Sequence, residues 1–168
     1  MRAISLWQPW ATLIALRAKR VETRGWYTDY RGPLVICAAK KWGWDLFTQC
    51  IQPGFFEVLQ LPRYSWLAPR AVPKPLPLGV AVATCTLIDC VRSERFYEQY
   101  KALATEQELR FGDYGPGRFA WVLSDIEPFA VPPPVRGEQG FFEVDDAVIA
   151  AASRSVPPPA KKEGLFDG

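Results

Sequence analysis

The sequence predicts an α+β domain: a small, curved, mostly antiparallel sheet or open β-barrel with helices packed outside it. Three observations lead there. The strand-like segments do not alternate regularly with helical ones. No Gly-rich phosphate loop follows a strand, which argues against a doubly wound sheet. The chain has 168 residues, 49% of them apolar, enough for one domain with a real core.

Residues 3–7 read as a first strand. Pro9 suits the first turn of a short helix, where its missing N–H costs nothing. Trp10, Leu13 and Ile14 fall on one face of that helix, and Lys19 and Arg20 close it with positive charge. Residues 20–26 alternate as a strand, with Arg20, Glu22, Arg24 and Trp26 on one face and Val21 and Thr23 on the other. A loop follows over 27–32. Residues 34–39 are continuously apolar, as a strand buried on both faces is. A helix is expected over 42–51.

Residues 53–77 are irregular and rich in proline. They read as an ordered insertion or lid, placed at about 53–78 within one domain that spans 1–153. The longest apolar strand runs over 79–91. Ser93 is the expected N-cap of a helix to about 104, with Phe96, Tyr97, Tyr100 and Leu103 inward. A turn-rich loop covers 112–117. Strands are expected over 118–124, 127–131 and 140–144, and a short helix runs through 152. Residues 154–168 are expected to form a flexible tail. Leu165 and Phe166 within it are a candidate docking peptide for a partner.

Charge and composition narrow the chemistry. The net charge is +2. Residues 1–44 carry eight basic and two acidic side chains, a net of +6, which leaves −4 for the remainder. A basic segment on a nearly neutral chain points to a local anion site, with a solvated basic face as the plainer alternative. There is no histidine. Ser-His and Cys-His nucleophile pairs are therefore excluded, as is any metal site that needs imidazole. Acid–base chemistry falls to Lys, Glu, Asp, Tyr or Cys. The four cysteines show no CxxC spacing, and Cys85 and Cys90 face opposite ways on their strand. They read as reduced core thiols, and neither a metal nor another cofactor is expected. No apolar run reaches the roughly 20 residues that span a bilayer, and the opening lacks a secretory signal. The expected location is cytoplasmic.

The segment that carries chemistry is Lys19-Arg20-Val21-Glu22-Thr23-Arg24. Glu22 and Arg24 lie about 7 Å apart on one strand face. Lys19, at the preceding turn, can swing over the same face. An ammonium, a carboxylate and a guanidinium in one hollow can bind phosphate or orient a base edge. An ordinary surface ion-pair trio is the plainer alternative.

The pattern Lys19-x-x-Glu22-x-Arg24 resembles the signature of ASCH domains, relatives of PUA domains in an RNA-binding-like superfamily. Leu6-Trp7-Gln8-Pro9-Trp10, Tyr30-Arg31-Gly32-Pro33-Leu34, the strand ending at Asp89, and Pro134-Val135-Arg136-Gly137 are similar to further parts of that family. The family's motif usually opens with Gly two residues before the Lys, where this chain has Arg17. The resemblance implies a small barrel whose cleft faces RNA, single-stranded nucleic acid or a modified nucleoside. Some small members hydrolyse N4-acylated cytidines, at least one is described as a ribonuclease, and others only bind nucleic acid within transcriptional coactivators. Carried over, Lys19 is the catalytic or positioning lysine. Glu22 falls where the amidohydrolases carry Thr, and there a carboxylate would activate water. Asp89 is the candidate downstream acid. Arg24 and Arg136 hold a phosphate or carbonyl, while Trp7, Gln8 and Trp26 wall a base pocket. The plainer alternatives are Trp7 in the core, Asp89 capping a turn and Arg136 solvated in a loop.

Overall fold

The computed structural model describes residues 1–61 and 76–153. Six strands and six helices follow in the order β1 (Arg2–Leu6), α1 (Trp10–Ala15), β2 (Val21–Arg24), β3 (Gly32–Ala38), α2 (Trp44–Cys50), α3 (Phe55–Leu59), β4 (Val80–Arg92), α4 (Ser93–Gln99), α5 (Glu106–Arg110), β5 (Phe119–Pro128), β6 (Phe141–Glu143) and α6 (Asp146–Ser153). One sheet takes all six strands in the order β2-β5-β4-β3-β1-β6. Only the β1–β3 pair is parallel.

The sheet curls into a half-barrel. The register of β4 against β5 shifts twice, between Thr84 and Thr86 and between Leu87 and Asp89. Such irregularities bend a strand and raise its twist. The two edge strands, β2 and β6, do not pair with each other. Aromatic rings close the gap between them. Trp121 of β5 stacks on Phe141 of β6 with centroids 5.3 Å apart, and Trp26, just past β2, meets both rings edge-on at 4.6 and 5.3 Å. Offset and edge-to-face rings of this kind add to the burial of their large apolar area.

Inside the curl, Ile4, Leu6, Leu34, Ile36, Leu87, Trp121 and Leu123 form the main core, and Ala11 and Ile14 of α1 plug one end. The alternate residues of β1 and β3, Ala3, Val35 and Cys37, face outward beneath Ile149 and Ala152 of α6. The two-sided burial expected of residues 34–39 has this origin. Phe96 of α4 covers Val21, Ala120 and Val122 on the other outer face. Leu13, Cys50, Phe55, Leu59 and Phe111 join α1, α2 and α3 beside the barrel mouth.

Several expected elements differ. The segments at 118–124 and 127–131 are one strand, β5, kept continuous through Asp125 at φ +48. The helix expected to run to 104 stops at Gln99, and Arg92 rather than Ser93 occupies its N-cap. Ser93 Oγ is buried without a hydrogen-bond partner among the described residues, and Tyr97 is half-exposed rather than inward. The start of the proline-rich segment folds as α3, while residues 62–75 and the whole tail, including Leu165 and Phe166, lie outside the described residues. All four cysteines are free and buried, and Cys85 and Cys90 both join the inner core rather than facing opposite ways, because the register of β4 shifts between Leu87 and Asp89. Burial pushes the thiols of Cys37, Cys50 and Cys85 up to about 12.

Candidate functional site

A cleft of about 540 Å³ opens between α1, β2 and the segment after α5, a size suited to a small organic ligand. Lys19, Glu22 and Arg24 all line it, together with Trp7, Trp10, Thr23, Trp26 and Arg118.

Local backbone chemistry places Lys19. After α1 the chain turns at Arg17, which has φ +60. The N–H groups of Ala18 and Lys19 both donate to the carbonyl of Leu13, at 3.0 and 3.1 Å. A left-handed residue followed by backfolded N–H groups is a common helix stop, usually made with glycine. Arg17 takes that conformation here, and its guanidinium is held by Ile126 O at 2.8 Å and Glu127 at 3.3 Å. The departure from Gly at this position therefore leaves the turn intact. Lys19 then points inward and is 1% exposed.

A charge buried this deeply needs a partner. Glu108 of α5 supplies it: its Oε1 lies 3.5 Å from Lys19 Nζ, and the two side chains are 1% and 5% exposed. The Glu108 carboxylate also accepts the Arg20 N–H at 2.7 Å and the Tyr114 hydroxyl at 3.1 Å. Burial, then the adjacent Glu108 charge and hydrogen bond, raise Tyr114 well above the ordinary phenol range. It remains a neutral donor. Its ring stacks on Phe96 at 5.0 Å.

Glu22 and Arg24 form the cleft's second pair. Arg24 Nε lies 3.3 Å from Glu22 Oε1, without an aligned acceptor for its N–H among the described residues. Arg24 Nη2 donates to Ser5 O at 3.1 Å. Thr23 Oγ1 accepts the Asp113 N–H at 3.1 Å, and Arg118 donates to Thr23 O at 2.9 Å. These bonds pin the loop 112–118 to the edge of β2. Trp7 is 48% exposed and Trp26 36%, so Trp7 stands at the cleft mouth, not in the core. Lys41 Nζ sits 3.6 Å from the centroid of the Trp7 ring.

Three expected residues lie elsewhere. Gln8 is fully buried. It braces backbone, donating to Pro77 O at 2.8 Å and accepting the Thr12 N–H at 3.1 Å, and it does not line the cleft. Asp89 does not line it either. Its carboxylate is held by Arg31 at 2.9 Å, Tyr100 Oη at 2.5 Å and the Cys90 N–H at 2.8 Å. Partial burial pushes that carboxyl up, but these three donors outweigh it and hold the group below its usual range. Arg136 lines an adjoining hollow. The acid that meets Lys19 is Glu108, which sequence reasoning missed. A signal was present: Thr105-x-x-Glu108 reads as a helix-start capping box. Thr105 Oγ1 does accept the Glu108 N–H, while the carboxylate turns to Lys19 instead of to its own helix. Among the described residues no group of three or more Cys, Asp or Glu is placed to hold a metal. No helix among them is long and apolar enough to cross a membrane.

A curled, mostly antiparallel half-barrel with external helices and a charged cleft beside its first helix is a PUA-like architecture. A family model for the ASCH domain matches residues 4–133, and the chain belongs to the ASCH family. It is 28% identical over 156 residues to activating signal cointegrator 1 of Mus musculus, and likewise to that of Homo sapiens. Each alignment takes in 91% of this chain but 24% of the relative, so the chain spans about a quarter of the length of the curated relatives it matches. Among solved structures, a mutant of the ASCH protein from Zymomonas mobilis aligns with TM-score 0.50 and 16% identity, covering 89% of this chain and 94% of that one. The unmutated protein gives 0.49 and 16%, covering 89% and 90%. The likeness to the mutant supports the fold alone.

Proposed function

We propose that the cleft binds a nucleoside unit, either free or within RNA or another single strand, and deacylates an N4-acylated cytidine-type base. One observation carries the reading: a buried ammonium, Lys19, sits in a nucleoside-sized cleft with a second ion pair, Glu22 and Arg24, lining the same hollow. In this reading Glu22 takes a proton from water as the oxygen adds to the amide carbonyl. Lys19 and Arg24 donate to the oxyanion that forms. Collapse breaks the C–N bond, and the proton passes from Glu22 to the departing exocyclic amine. The products are cytidine and a carboxylic acid. Glu108 and Tyr114 position Lys19, and Trp7 and Trp26 offer faces to the base.

The test is incubation of the purified protein with N4-acetylcytidine and longer acyl homologues, followed by chromatography for cytidine. Glu22→Gln keeps the side chain's shape while removing the base, and is expected to lower kcat by at least about a hundredfold. Folded protein that releases no cytidine from any homologue would falsify the catalytic reading. A non-catalytic module that binds RNA or single-stranded nucleic acid, or else a ribonuclease, is the second reading. It draws on Glu22 standing where the family's amidohydrolases carry Thr, and on the curated relatives being named as cointegrators. Binding of an oligonucleotide that weakens steeply with salt, without turnover, favours it.

A further inference from the structure

Beside the cleft lies a wider hollow of about 1190 Å³. Ser5, Trp7, Arg24 and Trp26 line both. The two are chambers of one groove, divided by two indole rings and a guanidinium. Their charges are disposed differently. In the first chamber every cation is engaged: Lys19 by Glu108, Arg24 by Glu22, Arg110 by Glu106 and Arg118 by Asp113. In the second, Lys40 and Arg136 are exposed and have no ion-pair partner among the described residues, and Glu138 is the carboxylate in its lining.

The second chamber is also braced. Lys40 follows β3 and Arg136 precedes β6, far apart in sequence. Backbone bonds draw their loops together: Gly79 N–H to Ala38 O at 2.8 Å, and Val135 N–H to Gly79 O at 3.0 Å. Gly79 has φ +67, and a Cβ there would fall 2.9 Å from Lys40 Cγ and Cε. The lysine stem thus lies flat across a glycine, with its ammonium unpaired among the described residues.

We infer that this second chamber is a phosphate subsite. The base enters the first chamber, and the phosphate ester on its ribose lies past the Trp7–Arg24–Trp26 divide, held by Lys40 and Arg136. The ligand is then a nucleotide or part of a strand, not a free nucleoside. Guanidinium groups bind phosphate through paired donors, and an ammonium adds a compact charge. The inference rests on reading the first chamber as nucleoside-binding.

The experiment is calorimetric titration with N4-acetylcytidine, its 3′- and 5′-monophosphates, and a trinucleotide carrying that base at its centre. One of the monophosphates is expected to bind about ten- to a hundredfold more tightly than the nucleoside. A further gain with the trinucleotide identifies a strand as the source of the phosphate, and no further gain identifies a free nucleotide. In Lys40→Gln/Arg136→Gln the ratio of nucleotide to nucleoside affinity falls toward one. The salt slope for the trinucleotide drops by about 0.7, the contribution of one phosphate in a single strand. Equal affinities for nucleoside and both monophosphates overturn the subsite and leave the first chamber's reading standing. A phosphate gain that survives intact in the double variant overturns it too. Absence of binding by all four ligands removes both readings. The wild-type comparison needs no variant, so the outcome does not depend on the double variant's folding.

Discussion

Replacing Lys19 with methionine keeps the aliphatic stem and removes the ammonium. Glu108 then remains 5% exposed, with the Arg20 N–H and the Tyr114 hydroxyl as its donors and no opposing charge. Breaking a buried pair from one side costs about 3–5 kcal/mol. At about 2–4 °C per kcal/mol for a chain of this size, Tm falls by about 6–20 °C. Glu108→Gln strands the lysine instead and costs a similar amount. The double variant Lys19→Met/Glu108→Gln removes both charges while leaving an acceptor for the Arg20 N–H. Its loss is expected to be smaller than the sum of the two singles by about 2–3 kcal/mol. Guanidinium unfolding followed by tryptophan fluorescence and circular dichroism measures all four corners of the cycle. A Lys19→Met loss below about 1 kcal/mol, or strict additivity, refutes the argument that Glu108 holds Lys19 in place. The consequence reaches function: loss of activity in Lys19→Ala is uninformative unless folding is measured beside it, whereas Glu22→Gln tests chemistry more directly.

Two other outcomes follow from the same contacts. Tyr114→Phe keeps the ring stacked on Phe96 but removes a donor to the Glu108 carboxylate; it is expected to destabilise by about 1.5–3 kcal/mol, measured by denaturant titration. Asp89 is held below its ordinary range, so its contribution is present above the unfolded carboxylate value of about 3.9 and is lost as pH falls through the lower folded value. Its partner Tyr100 is pushed up to about 12 by burial and by Asp89 itself, and stays a donor throughout that window. The Asp89 and Arg31 side chains are about one-third exposed, so Asp89→Asn costs about 1 kcal/mol or less near neutral pH. The gap from wild type narrows below about pH 4. A gap that widens in acid contradicts the assignment.

The strands were legible because their apolar residues recur with period two or run unbroken: β1, β3 and β4 fall close to where the pattern placed them. Two of the short helices were not. α3 and α5 have five residues each, too few for a 3.6-residue periodicity to show, and they are held mainly by what they pack against. Phe55 of α3 lies against Trp10 and Phe111, contacts between residues far apart in the chain. The curl was expected in outline, but its seam was not. Nothing local in Trp26, Trp121 or Phe141 says that three rings from the two sides of an open sheet will meet.

The site divides along the same line, and the division bears on which residue answers to Lys19. Lys19, Glu22 and Arg24 were legible because turn and strand geometry over six consecutive residues bring them together. Asp89 rests on a similar local argument, its place near the end of the longest strand. That strand's register instead sets Asp89 opposite Val122, with its carboxylate taken by Arg31 and Tyr100. A lysine that is 1% exposed cannot be stabilised by a carboxylate so engaged. It needs one brought to it across the fold, and α5 brings Glu108 from 89 residues away. Burial of the lysine is therefore the stronger guide to its partner: once Lys19 is inside, the fold must supply a buried acid, and among the described residues Glu108 is the most deeply buried carboxylate, ahead of Glu22.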